Sequence, residues 1–280
     1  MLRTISLSFI TAMTVAGVSC QNSGHLEADG SVYSDSIISR ITKVRHCITE
    51  GTPSEVASVF TYPVLRPYPL RDIVDSSAML DYLNVMVDDS LKAIISSVAP
   101  EDWLPLGWRG YTPTDDGDVL MWDGGIYDFN YVSSKESKLR EELSRKEIES
   151  LHPSLRKGWK PYYCMKSVTD GRLFRIDTAE NDTAKNGEGL LRLMAYAPNS
   201  SLSDMPEMNL RGHMISEGSE GNRVLHFSAG DTILDFILDL SDDSRSQIEI
   251  VKGGEYTSSY VTPIYWRDYL PNGVFHRDVI

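Results

Sequence analysis

The chain is poor in the residues that carry covalent and metal chemistry. Its 280 residues include three cysteines, Cys20, Cys47 and Cys164, and none are arranged as Cys-x-x-Cys. That excludes a dithiol redox pair and a zinc knuckle. The six histidines (His25, His46, His152, His213, His226 and His276) all stand more than five residues apart, so no local metal-ligand pair is encoded and a metal site is not expected. There is no Gly-x-Ser-x-Gly elbow and no phosphate-cradling loop, and Gly107-x-x-Gly110 is no nucleotide motif. No cofactor is therefore expected. Basic residues are also scarce. Lys plus Arg number 27 against 40 Asp plus Glu, a net charge of −13, and such a chain repels phosphate backbones, which argues against nucleic acid as a partner. No apolar run reaches the roughly 18–20 residues of a spanning helix.

What is present begins at the N-terminus. Arg3 precedes an uncharged, mostly apolar run, Ile5 to Val18, which ends in Gly17-Val18-Ser19-Cys20. A short basic start, an apolar stretch and small residues before a cut site read as an export signal over 1–19, removed before folding. The cysteine at the cut makes the segment resemble a bacterial lipoprotein signal. That resemblance implies lipid on Cys20 as the first mature residue, and Gln21 behind it resembles the sorting choice that favours the outer membrane. Gly17 stands where that pattern usually has leucine. An ordinary signal peptide without lipid, or a buried first element, are the other readings. Arg3 is the one charged residue removed with the signal, leaving about −14 on the mature chain, so attachment would come from lipid rather than from a basic surface. Residues 20–33 are small and polar and read as a tether.

The body divides in two. Over 34–133, Ile37, Ile41, Val44 and Ile48 recur at helical spacing, and Thr52-Pro53-Ser54-Glu55 is a capping box with proline at the first helical position. Asp75 caps a third helix that runs to about Ser97, with a break placed near Asp88-Asp89. Strands follow: Gly107–Tyr111, Val119–Trp122 and Ile126–Tyr131, the last two joined by a three-residue hairpin, Asp123-Gly124-Gly125. Helices followed by an antiparallel meander describe an α+β layer. Tyr62-Pro63, Tyr68-Pro69-Leu70, Asp102-Trp103, Gly107-Trp108-Arg109-Gly110 and Trp122-Asp123-Gly124 make this third of the chain resemble the NTF2-like (cystatin-like cone) superfamily. The resemblance implies a curved sheet wrapped by helices around a cavity. Enzymes of that superfamily use an Asp–His pair, and residues 50–134 contain no histidine.

Residues 134–157 read as a charged linker helix with a narrow stripe of Leu139, Leu143, Ile148 and Leu151, packed across both halves. From 158 to 267 the chain reads as short strands divided by Gly, Pro, Asn and Asp, an all-β sandwich or barrel, and 268–280 as a tail. Cys47 and Cys164 either pair in an oxidising compartment or are two small buried apolar groups. His213 and His226 fall on neighbouring strands, where they either converge or are polar positions on a wet face. Asp115-Asp116-Gly117-Asp118 lacks the spacing of a calcium loop and reads as a turn, as does Asp242-Asp243.

The candidate pocket is Tyr68, Trp103, Trp108, Arg109, Trp122 and Tyr131: stacking surface plus one cationic fork, suited to an anionic or sugar ligand. The plainer reading is that these aromatics fill the cone and Arg109 pairs with Asp102 or Asp118. The expectation is an exported, membrane-anchored lipoprotein that binds an envelope protein or small ligand without catalysis. Its alternatives are an NTF2-like enzyme working in the cone and an inhibitor of a periplasmic hydrolase acting through a loop such as 199–206. The lipid expectation has a direct check: palmitate labelling in a bacterial host marks the wild-type chain and leaves Cys20→Ser unlabelled.

Overall fold

The computed structural model describes residues 34–115, 117–122, 124–180, 190–216, 223–238 and 246–264. The signal, Cys20, the tether, Asp242-Asp243 and the 268–280 tail lie outside them. Five helices and twelve strands follow in order: α1 Asp35–Glu50, α2 Pro53–Ser58, α3 Ser76–Met86, α4 Asp89–Ser97, β1 Leu104–Pro105, β2 Tyr111–Thr112, β3 Val119–Trp122, β4 Gly125–Phe129, α5 Ser134–Glu149, β5 Trp159–Ser167, β6 Leu173–Ala179, β7 Leu191–Tyr196, β8 Met208–Ser216, β9 Arg223–Ala229, β10 Thr232–Leu238, β11 Gln247–Lys252 and β12 Glu255–Pro263. The fold is α+β with a β-barrel.

Local chemistry sets most of the helix ends. Thr52 and Glu55 close the capping box: the Thr52 N–H donates to Glu55 Oε2 at 2.7 Å and the Glu55 N–H to Thr52 Oγ1 at 3.4 Å. The stretch from Asp75 divides into two helices at the break expected near Asp88-Asp89. The Asp88 side chain accepts from the Leu91 N–H at 3.0 Å and starts α4 afresh. Ile41, Val44, Cys47 and Ile48 of α1 bury against Met79, Met86, Leu91 and Ile95, and β3 and β4 close this core with Met121 and Ile126. The four short strands form a meander in the order β1-β2-β3-β4.

Gly107–Tyr111 is not the strand its sequence suggested. Gly107 and Gly110 both take positive φ, +63° and +84°, which L-residues with a Cβ rarely adopt. The chain therefore turns through Gly107–Arg109, and the Leu106 N–H reaches the Gly110 carbonyl at 2.7 Å. The following hairpin is tighter than expected: Trp122 pairs with Gly125, which already belongs to β4.

Strands β5 to β12 run antiparallel in sequence order, and β12 pairs back onto β5 (Val261 with Ser167, Thr262 with Lys166), closing an eight-stranded barrel without an edge. Phe174, Phe227 and Phe236 meet edge-to-face inside at 5.3 and 6.0 Å. Gly212, paired with Phe227, makes room for that ring: a Cβ there would stand 2.3 Å from it and 2.1 Å from the His226 carbonyl. Cys47 and Cys164 do not pair. Both are buried thiols outside any disulfide, Cys47 in the helical core and Cys164 on the outer wall of the barrel.

Helix α5 joins the halves, and its deepest side chains are not the leucines of the stripe but Glu136 and Glu147. Eleven residues make just over three turns, so both lie on one face about 16 Å apart. The Arg66 guanidinium grips Glu136 bidentately, Nε to Oε1 at 2.6 Å and Nη2 to Oε2 at 2.5 Å, and also donates to the carbonyls of Phe129 and Tyr131. Tyr82 adds a bond to Glu136 at 3.2 Å. At the other end Glu147 pairs with Arg175, Arg175 with Asp177 at 2.6 Å, and Asp177 with Arg192. This is a neutral chain of four buried charges on the outward side of β6 and β7. Around it Tyr68, Leu151, Leu155, Met194, Tyr196 and Leu202 form a second dry layer. Burial pushes the Glu147 carboxyl up while the Arg175 charge pulls it back.

Arg175 neutralises two buried carboxylates, so Arg175→Met is expected to cost about 3–5 kcal/mol in a urea melt, the usual result of stranding a buried charge. Arg145→Met, which breaks the exposed Arg145–Glu149 pair at 2.9 Å, leaves the midpoint unchanged.

Candidate functional site

The described side chains of the expected pocket do not converge on one cavity. Trp103 is fully buried in the helical core. Trp122 is 48% exposed at the end of β3. Arg109 sits exposed on the Gly107–Arg109 turn, and the Trp108 side chain lies outside the described residues. The Tyr131 hydroxyl donates to Asp88 Oδ1 at 2.6 Å; burial and that bond push its pKa up to about 12. Of the described side chains, Tyr68 lines the cleft described next. Trp103 turns inward just after the Pro100–Asp102 turn, and the Gly107–Gly110 reversal carries Arg109 out. Between the helices and the short sheet, Trp103, Met79, Met86 and Met121 occupy the interior.

A cleft of about 680 Å³ instead opens at the junction of the two halves, within the range of small-molecule sites. One wall is the 61–70 segment, with its cis peptide bonds Tyr62–Pro63 and Tyr68–Pro69. Another is the end of β4, Tyr127 to Asn130, and the barrel contributes Tyr163, Arg223 and Pro263. Secondary structure fixes each wall. The Thr61 N–H donates to the Ile126 carbonyl at 2.7 Å, and the Ile126 N–H to the Val59 carbonyl at 2.7 Å, so the first segment is stitched to β4. Arg66 then ties its far end to Phe129, Tyr131 and Glu136. The Arg140 side chain holds the Tyr68 carbonyl at 3.0 Å.

The lining combines ring faces with a few polar groups. Tyr163 packs edge-on to Tyr162 at 4.9 Å and lies 6.1 Å from the Tyr68 ring. The Tyr127 hydroxyl is held by the Arg109 carbonyl at 2.7 Å, which leaves the ring as the contact surface. Asp128 accepts from the Asn130 side-chain amide at 3.1 Å, and Arg223 is exposed at the barrel rim. Burial raises the Asp128 carboxyl above the usual aspartate range, while hydrogen bonds from Asn130 and the Phe129 N–H and the Arg109 charge work against it. Tyr62 and Tyr127 are raised by burial as well. A second depression of about 510 Å³ at the β11–β12 turn, beside Asp231, Lys252 and Glu255, has no aromatic wall.

The other expected features are placed as follows. Asp115 and Gly117 form a turn between β2 and β3, with Gly117 at φ +73°. Loop 199–206 sinks Leu202 into the layer beneath α5 and leaves Met205 exposed. His213 and His226 do converge, as register partners on β8 and β9. Sequence reasoning missed Tyr62, Asp128, Tyr163 and Arg223, which lie far apart along the chain. The alternation of Arg175 and Asp177 with apolar Phe174 and Ile176 reads as a strand with one wet face, so no local pattern marked β6 as covered on both faces.

The Asp128 carboxyl has a pH consequence. A folded-state pKa above the unfolded one means the native state holds its proton longer, so stability from this group falls as pH rises out of the ordinary aspartate range. Asp128→Asn, which keeps the Asn130 bond, is expected to melt higher than wild type at pH 7, and the difference closes near pH 3. Compared with known proteins, the chain matches no family model, no curated protein and no solved structure.

Proposed function

We propose that this chain is an exported lipoprotein, held to the envelope by lipid on Cys20 and facing the periplasm or cell surface from the outer membrane. It binds a ligand without catalysis in the cleft between its two halves. The observation that carries this reading is the cleft itself: about 680 Å³, walled by both halves and framed by buried ion pairs at each end of α5. The signal-like first twenty residues and the polar tether support export and anchoring. Among the described residues no helix is long and apolar enough to cross a membrane. The order of helices before a short meander supports the NTF2-like reading of 34–133. The alternative of an enzyme working in the cone has less room, because Trp103 and three methionines occupy that space.

The lining narrows the ligand class. Tyr62, Tyr127 and Tyr163 offer ring faces, while Asp128, Asn130 and Arg223 offer a mixed set of donors and acceptors. Ring faces stack on the apolar side of a sugar, and planar polar groups bond its hydroxyls. The reading is therefore an envelope glycan, with an acidic sugar favoured by Arg223.

Calorimetric titration of the full chain with a panel of soluble envelope oligosaccharides tests this. One member binds, and Tyr127→Ala or Arg223→Ala, both at partly exposed positions, weakens it about tenfold, equivalent to about 1.4 kcal/mol. Binding that both variants leave intact places the ligand elsewhere and overturns the assignment of the cleft.

A further inference from the structure

The barrel wall that α5 leaves uncovered carries a row of polar residues across adjacent strands. On β8, β9 and β10 the register sets His213 opposite His226 and His226 opposite Asp235. Their inward neighbours Leu225, Phe227, Leu234 and Phe236 fill the barrel, so the alternation of the strands turns this row outward. The imidazole rings of His213 and His226 stand 5.3 Å apart, centroid to centroid. His226 Nδ1 lies 2.7 Å from Asp235 Oδ1.

We propose that His213 and His226 form a two-histidine site for a divalent transition metal, with Zn²⁺ as the fitting ion and Asp235 as the group that orients one ligand. Three observations carry it. First, the spacing fits: two imidazoles bound to one zinc at about 2.0–2.1 Å and a tetrahedral angle place their ring centres roughly 5 Å apart, as these rings stand. Second, the hydrogen bond selects a tautomer. An ionised carboxylate only accepts hydrogen bonds, so a neutral imidazole bonded to Asp235 through Nδ1 carries its proton there and its lone pair on Nε2. A carboxylate behind a ligating imidazole is the usual second shell of a zinc histidine and raises its basicity. Third, the surroundings suit a cation. Asp235 is flanked across β11 by Glu249, and the nearest basic residue along β8, Arg211, is turned onto the Trp159 ring, 4.2 Å from its centre.

The chain supplies two ligands, and water completes the coordination. Among the described residues no group of three or more His, Cys, Asp or Glu is arranged around one point, so affinity rests on the histidine pair. The site shares no residue with the junction cleft and stands or falls separately from it.

Calorimetric titration of the full chain with Zn²⁺ at pH 7.5, with Mg²⁺ as the comparison ion, decides the matter. One Zn²⁺ per chain is expected, with no heat from Mg²⁺. His213→Gln and His226→Gln each weaken binding at least tenfold, and Asp235→Ala weakens it about tenfold through the lost orienting bond. His46→Gln, remote on α1, changes nothing. Unchanged circular dichroism separates ligand loss from misfolding. Absence of Zn²⁺ binding to the wild type, or binding that survives in the His213→Gln/His226→Gln double variant, overturns the proposal.

Discussion

Glu136 and Glu147 share one face of α5, and each is fully buried against an arginine that belongs to a different half of the molecule. That pair of contacts ties both halves to one helix face. Burying a carboxylate is costly unless a counter-charge and hydrogen bonds meet it, and here each glutamate finds its arginine only at one register. Rotating the helix by one residue would swing both glutamates about 100° away from their arginines. The interaction therefore does less to add net stability than to forbid alternatives. It sets how far the helical half stands from the barrel, and so the width of the cleft whose walls each half supplies. Arg66 shows the economy of the arrangement, since one guanidinium fixes α5, the end of β4 and the proline-rich wall together.

The same helix divides the barrel into two kinds of wall. Beneath α5, strands β6 and β7 are buried on both faces. Phe174, Ile176, Leu191 and Leu193 point inward, while Arg175, Asp177, Arg192 and Met194 are sealed outside. Away from it, β8 to β12 keep the ordinary alternation and leave an outer wall available, with His213, His226 and Asp235 in a row. Ion pairs on the covered wall hold the halves together, and the open wall is free to meet an ion.

How much of this was legible in the sequence depended on the range of the interaction. The Thr52–Glu55 box, the Asp75 cap and the alternation of β5 to β12 are contacts within a few residues, and the chain states them directly. The reversal at Gly107–Gly110 was misread because the sequence shows that glycines are present without showing which sign of φ they take. The narrow stripe on α5 pointed to a linker helix, but its leucines drew attention from the glutamates that go deepest. A buried charge looks like any surface charge until its partner is known, and Arg66 and Arg175 lie 70 and 28 residues away.

The sequence by itself determined the acidic character, the signal-like start, the helices-then-strands order and the strands of the barrel, because composition and short-range periodicity encode these. Only the tertiary structure decided where the cleft opens, which polar side chains are buried and that two isolated histidines meet. Those outcomes depend on barrel closure and on the register of α5, which bring together residues whose separation along the chain carries no signal of their proximity.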